Sequence, residues 1–337
     1  MDYFSTIITG ASGLLLLHAF HSIYFTHISF KTQTVFDSQH LPGSFYLLIR
    51  CIYQSILKKR GEIMIEQTNE ELILSVINCR FDDKSLKSFC AHSGYGWDYP
   101  DSDFRDTPLC FPKFLFSKLI AMIQCSERFR LSPSGLLCVR ECVTLLEAVD
   151  ELKRGPFTLE ARVNGYRMES TGVEVELSLT ASRLQRCIWS STLTLLSPIN
   201  TKMPRAQTSL PISHDPKWEW CISLSAPRRT GVSCVWAFCD LWALCGLTRH
   251  NLHTLWMFSR CMAEMEKHRG VEVVRAPLTV SVYYHLPVSS SSGKFCIRMC
   301  ENSSEKSRTA WFSLADQKSR VLCISGQIKQ QTSEKAR

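Results

Sequence analysis

No Cys-x-x-Cys pair occurs in this chain, although 16 of its 337 residues are cysteine. The nearest spacings are Cys138 to Cys142, Cys296 to Cys300, and Cys234, Cys239 and Cys245, none of which suits a zinc site, so no metal is expected. Most of these thiols sit in apolar runs such as CVRECV and KFCIRMC. There a free thiol behaves as a small buried hydrophobe, and a reducing compartment is expected. The Asn-x-Ser match at Asn302 is too common a pattern to argue otherwise. A block of one charge is also missing: 39 Lys and Arg against 31 Asp and Glu give +8, spread along the chain. That attracts anions weakly and selects no partner. With 45% hydrophobic and 21% charged residues, the composition excludes collagen, coiled coil, a disordered chain and a small disulfide scaffold. The length allows two or three units with real cores.

Charge is absent altogether from Tyr3 to Phe30, a stretch whose middle reads IITGASGLLLLHAFHSIYF. About 20 mainly apolar residues cross the hydrocarbon of a bilayer. The histidines at 18, 21 and 27 make it a poor span, and both a basic start and a small-residue cleavage site for a signal peptide are lacking. An uncleaved N-terminal hydrophobic helix is therefore expected, against the alternative that it is a helix of the fold. Positive charge follows at Lys31, Arg50 and Lys58 to Arg60, which places the soluble part in the cytosol. A second apolar stretch, LPGSFYLLIRCIYQSIL, carries Arg50 at its centre and reads as an interfacial or packed amphipathic helix.

Four regions are expected: 1–60 as anchor and amphipathic segment, 61–104 as an irregular connection, 105–200 as a first domain, and 201–337 as a second with a polar tail. The connection mixes apolar runs such as EELILSVINC with the turn-rich SGYGWDYPDSDFRDTPLC. In the first domain PKFLFSKLIAMIQ opens with Pro112 at a first helical position. Phe114, Leu115, Lys118, Leu119 and Met122 then follow at helical spacing. Strand patterns come next, the clearest being TGVEVELSLTA, where Val173, Val175, Leu177 and Leu179 alternate with polar residues. The second domain repeats the order. Leu255, Phe258, Met262 and Met265 line one side of a helix opening at His253, with Arg260, Glu264 and Lys267 opposite, and Gly270 stops it. VEVVRA, PLTVSVYYHLPV, GKFCIRMCE, RTAWFSLAD and SRVLCISGQI then read as strands. The fold class is α+β.

LSPSGLLCVRECVTLLEAVDELKRGPFTLEARV through CIWSSTLTLLSP, and VWAFCD through GLTRHNLHTLWMFSRCMAEME to PLTVSVYYHLPV, resemble the MaoC-like acyl dehydratases, which include the R-specific enoyl-CoA hydratases. The resemblance covers about residues 105–330 and lies in the order of pieces. It implies a double hot-dog fold, two antiparallel sheets each wrapped on a helix. It also implies a fatty acyl thioester of coenzyme A or acyl carrier protein as partner, hydro-lyase activity and no cofactor. Such chemistry needs a base and an acid on one water, and amide donors for the enolate at the start of the central helix.

By that resemblance Asp240 takes the catalytic acidic position, Gly246 the glycine before the helix, and His253 the histidine that heads it. Thr254 replaces the family's glycine. With Gly246 and His253 it forms the expected substrate-binding set. The family's catalytic His is missing: five residues after Asp240 stands Cys245, and LWALC holds no Asn-Pro. Bland roles stay open, a strand-end carboxylate for Asp240 and a cap for His253. A silent hot-dog scaffold and a thioesterase using Asp240 or Glu264 are the competing functions. Trp218, Trp220 and Trp236 beside Lys217, Arg228 and Arg229 read as packing, so no nucleic acid is expected. Hot-dog sheets pair edge to edge, which allows a homodimer.

Overall fold

A computed structural model describes residues 24–64, 71–96, 106–199, 220–225, 249–285, 294–304 and 307–331. Its helices are α1 (24–32), α2 (Ser44–Leu57), α3 (Asp83–Ser93), α4 (Phe111–Leu115), α5 (Ser117–Cys125) and α6 (Arg249–Arg269). The strands of the N-terminal part are β1 (Val35–Asp37), β2 (Ile73–Cys79), β3 (Leu137–Leu145), β4 (Phe157–Glu169), β5 (Gly172–Arg183) and β6 (Arg186–Pro198). Those of the C-terminal part are β7 (Trp220–Ser225), β8 (Leu278–Tyr284), β9 (Lys294–Ser304), β10 (Ser307–Asp316) and β11 (Leu322–Gln331).

All the strands join one sheet in the order β1-β2-β4-β5-β6-β3-β8-β11-β10-β9-β7. Apart from β1, the two halves have one plan: β2-β4-β5-β6-β3 and β7-β9-β10-β11-β8 each run first, third, fourth, fifth, second in chain order. The second strands meet, β3 pairing antiparallel with β8 through Val143 opposite Val280. The halves thus share one edge-to-edge seam and one continuous core, from Phe30 to Ile328.

The elements follow from residue patterning. On β5, Val173, Val175, Leu177 and Leu179 are fully buried while the residues between them are partly exposed. Burying a Val or Leu side chain is worth about 1.5–3 kcal/mol, which fixes this face inward and with it the register. The C-terminal helix α6 is buried on nearly every side, with Leu255, Phe258, Cys261, Met262 and Met265 at most 3% exposed. Its Phe258 stacks on Phe312 of β10 at 6.3 Å. Gly326 on β11 makes the fit possible, because an added Cβ would lie 2.3 Å from the Phe312 ring. At its end Gly270 takes φ +83° and its N–H returns to Glu266 O at 2.9 Å, the expected stop.

Several expectations are corrected. The stretch 61–104 is not an irregular connection: Leu72, Leu74 and Val76 alternate into the core, β2 is the first strand of the first copy, and α3 follows. That half therefore begins ahead of residue 105. VEVVRA is not a strand but a 3-10 turn, Val271–Val274, which the reversal at Gly270 sets up. PKFLFSKLIAMIQ forms two helices meeting at Phe116. The polar side of α6 is only partly wet: Lys267 is exposed, but Glu264 is 5% exposed and Arg260 lies over Gly94 at the end of α3. Eleven described cysteines carry free thiols, but Cys296 is disulfide-bonded. Disulfides form by approach in space, which spacing in the chain does not reveal. Among the described residues no helix is long and apolar enough to cross a membrane; most of the expected N-terminal hydrophobic helix lies outside them.

Candidate functional site

The start of α6 is where the sequence places the chemistry. Asp240, Cys245 and Gly246 lie outside the described residues. His253 belongs to α6, whose described residues run Arg249–Arg269. Thr254 is fully buried, its side chain closed off from solvent. His253 and Thr254 are consecutive on α6. Their approach to Asp240 falls outside the described residues.

A second polar constellation sits on the seam between the halves, and sequence reasoning missed it. Glu141 of β3 is fully buried. Lys113 Nζ of α4 donates to its Oε2 at 2.5 Å, Tyr284 Oη of β8 donates to the same oxygen at 2.6 Å, and Ser191 Oγ of β6 donates to Oε1 at 3.3 Å. Burial works against the Lys113 charge, but the adjacent Glu141 carboxylate outweighs it and holds the ammonium above its usual range. The Tyr284 phenol is pushed well up by burial and then by Glu141. Nearby, burial raises the Cys138 thiol to about 12 and the Cys110 thiol well above its ordinary value. Protonated thiols are poor nucleophiles, and a carboxylate that already accepts three donors has little left for a substrate. The cluster ties both halves and α4 together. The signal was present: the alternation in RECVTL sets Glu141 on the face of Val143 and Leu145.

At the far end of α6 a narrow cleft runs between the halves, lined by Asp106, Thr107, Leu145, Val149, Glu266 and Val274 among others. It holds little more than a water molecule. Burial and the neighbouring Asp150 carboxylate raise the Asp106 carboxyl, while Asp150 accepts the Thr107 N–H at 3.1 Å and pairs with Lys153 at 2.7 Å. Glu264, the alternative base, meets Arg260 at 3.1 Å, Lys267 at 3.3 Å and His268 at 3.8 Å. Its oxygens are taken up along its own helix. Among the described residues no three His, Cys, Asp or Glu side chains gather as a metal site.

Solved structures resemble this arrangement. A MaoC-like dehydratase from Phytophthora capsici superposes with a TM-score of 0.54 at 12% identity, over 80% of this chain and 97% of that one. HtdX of Mycobacterium tuberculosis gives 0.53 at 12% identity, over 77% of this chain and all of the other. A second HtdX structure gives 0.50 at 13% identity. No family model and no curated protein matches the sequence. At such identities the likeness establishes the fold, the hot-dog architecture of these dehydratase structures.

Proposed function

We propose that this chain, built on the hot-dog architecture of the MaoC-like dehydratases, binds fatty acyl thioesters of coenzyme A or acyl carrier protein and hydrates a 2-enoyl chain or runs the reverse. The observation that carries the reading is the doubled strand plan, joined at β3 and β8, in a fold that superposes on HtdX and the Phytophthora dehydratase. In the forward direction the water oxygen bonds to C3 of the enoyl chain and a proton is delivered to C2. Asp240 is assigned the proton transfers, and the amides around Gly246 and the start of α6 are assigned the enolate oxygen, His253 and Thr254 lying beside the acyl group. A positioned acid or base contributes typically about 10²–10⁴-fold, so Asp240→Asn should lower the hydration of crotonyl-CoA by that order.

A second reading is favoured by one feature of the sequence, the absence of the family's His, with Cys245 in its place. It makes the protein a silent thioester-binding or lipid-binding scaffold, in which Asp240→Asn changes nothing. Absence of turnover together with saturable acyl-CoA binding would favour it.

The N-terminal part is assigned to a membrane, with the hot-dog part on the cytosolic side. The charge-free run from Tyr3 to Phe30 supports this. So does the basic flank, although Arg50 and Lys58 turn into the protein and leave Lys31, Lys59 and Arg60 to supply the bias. The seam between β3 and β8 already supplies inside one chain the edge pairing that a homodimer would make. Protease protection of tagged termini in intact membranes tests the orientation.

A further inference from the structure

Helix α2 is apolar on both faces: Tyr46, Leu47, Leu48 and Cys51 are buried in the protein, and a second apolar set points outward. Its polar residues Arg50, Gln54 and the following Lys58, spaced one turn apart, are at most 8% exposed and face the protein. Arg50 reaches Glu127 at 3.2 Å, and Lys58 Nζ donates to the carbonyls of Ser126 at 3.3 Å and Glu127 at 3.4 Å, where the C-terminal end of α5 needs partners. On the outside the exposed positions are Phe45, Ile49, Ile52, Tyr53, Ile56 and Leu57. They form one stripe at intervals of three and four, with Ile56 78% and Phe45 62% exposed, and no charged side chain interrupts it. The outward face of a surface helix in water carries polar and charged residues instead.

Three further observations identify what covers the stripe. First, α1 lies against α2, His27 Nδ1 sitting 3.1 Å from Tyr46 Oη and the Phe30 ring 6.0 Å from that of Tyr46, and it exposes Tyr24, Phe25 and Ile28. Second, the run without charge extends back from α1 to Tyr3, so the chain enters the described fold at the margin of this surface from a segment that favours hydrocarbon. Third, Tyr24, Tyr53, Lys31 and Lys59 lie exposed along these two helices and their flank, amphipathic aromatic and basic residues suited to the level of lipid headgroups, the lysines also reaching Glu127 at 3.5 Å and Glu62 at 3.9 Å.

We infer that the outer face of α2, with the exposed side of α1, is a lipid-docking surface that lies in the interface of a bilayer. The surface is distinct from the thioester site, and its test reads no turnover.

The test uses the full chain bearing Tyr53→Trp with phosphatidylcholine vesicles, with and without anionic lipid. The acyl chains are brominated near the headgroup, and the unmodified protein is the reference for its native tryptophans. The added emission is expected to be quenched. Quenching should be lost when Ile49→Glu and Ile56→Glu are added, with the thermal melt unchanged because both positions already face outward. Vesicle binding without quenching at position 53 would place bilayer contact elsewhere and overturn the inference. So would failure to bind vesicles, whether the stripe is then covered by residues 1–23, shown by crosslinking within the chain, or by a second copy, shown by a dimer in sedimentation.

Discussion

A carboxylate on the inward face of a core strand costs several kcal/mol of desolvation unless donors surround it. Glu141 meets that condition through Lys113, Tyr284 and Ser191, drawn from three elements, α4, β8 and β6, of both halves. Lys113→Met removes the countercharge and strands the acid, which should cost about 3–5 kcal/mol in urea unfolding. Adding Glu141→Gln should recover part of that loss, because a neutral amide is cheaper to bury. A double variant as unstable as the sum of the two singles would refute a paired cluster. His285 offers a pH test. Its Nε2 lies 2.8 Å from Ser325 Oγ, and burial lowers it from 6.5. Above the unfolded value neither state carries the charge; as pH falls below about 6.5 the unfolded chain takes a proton that the folded chain resists. Stability should therefore fall with acidification until the folded pKa is passed, and His285→Gln should flatten that limb of a melt series. Little of this residue scale could be read in advance. Alternation marks Glu141 as inward, but nothing in a linear string says that Lys113 and Tyr284, 28 residues before and 143 after it, arrive at the same point.

Elements were more legible, because burial writes a period into the sequence. The alternation in TGVEVELSLTA and the apolar side of α6 both appear as expected. What failed was the environment of polar faces. Arg260 and Glu264 looked like a wet side of α6, but Arg260 packs at the end of α3, where Gly94, in a left-handed conformation at φ +88°, leaves room for its guanidinium, and Glu264 is buried beside it. The stretch of α2, read as an interfacial or packed amphipathic helix, turns one apolar stripe outward. VEVVRA has strand composition but follows a helix stop too closely to reach the sheet. Gly326 provides the element-scale test. Gly326→Ala should push the Phe312 ring against Phe258 and destabilise the fold by about 1–3 kcal/mol, as overpacking does. Phe312→Leu in the same chain should return part of that, read as the unfolding midpoint.

For the whole molecule, the duplicated helix-and-sheet order was visible from about residue 105 onward, whereas the opening strand of each copy was not. β2 is seven residues in a region dominated by turn formers, and β7 is six residues among Trp, Ser and Pro. The strand order depends on contacts between distant segments, and no periodicity encodes it. The acyl-thioester reading is a proposal that starts from this fold, and turnover within it depends on Asp240 and the altered segment after it. Calorimetric titration of the full chain with crotonyl-CoA and a longer enoyl-CoA is the most direct check. A saturable exothermic or endothermic isotherm, abolished by excess of a non-hydratable acyl-CoA, is predicted; the absence of binding to every acyl-CoA and acyl carrier protein thioester tried would contradict the account.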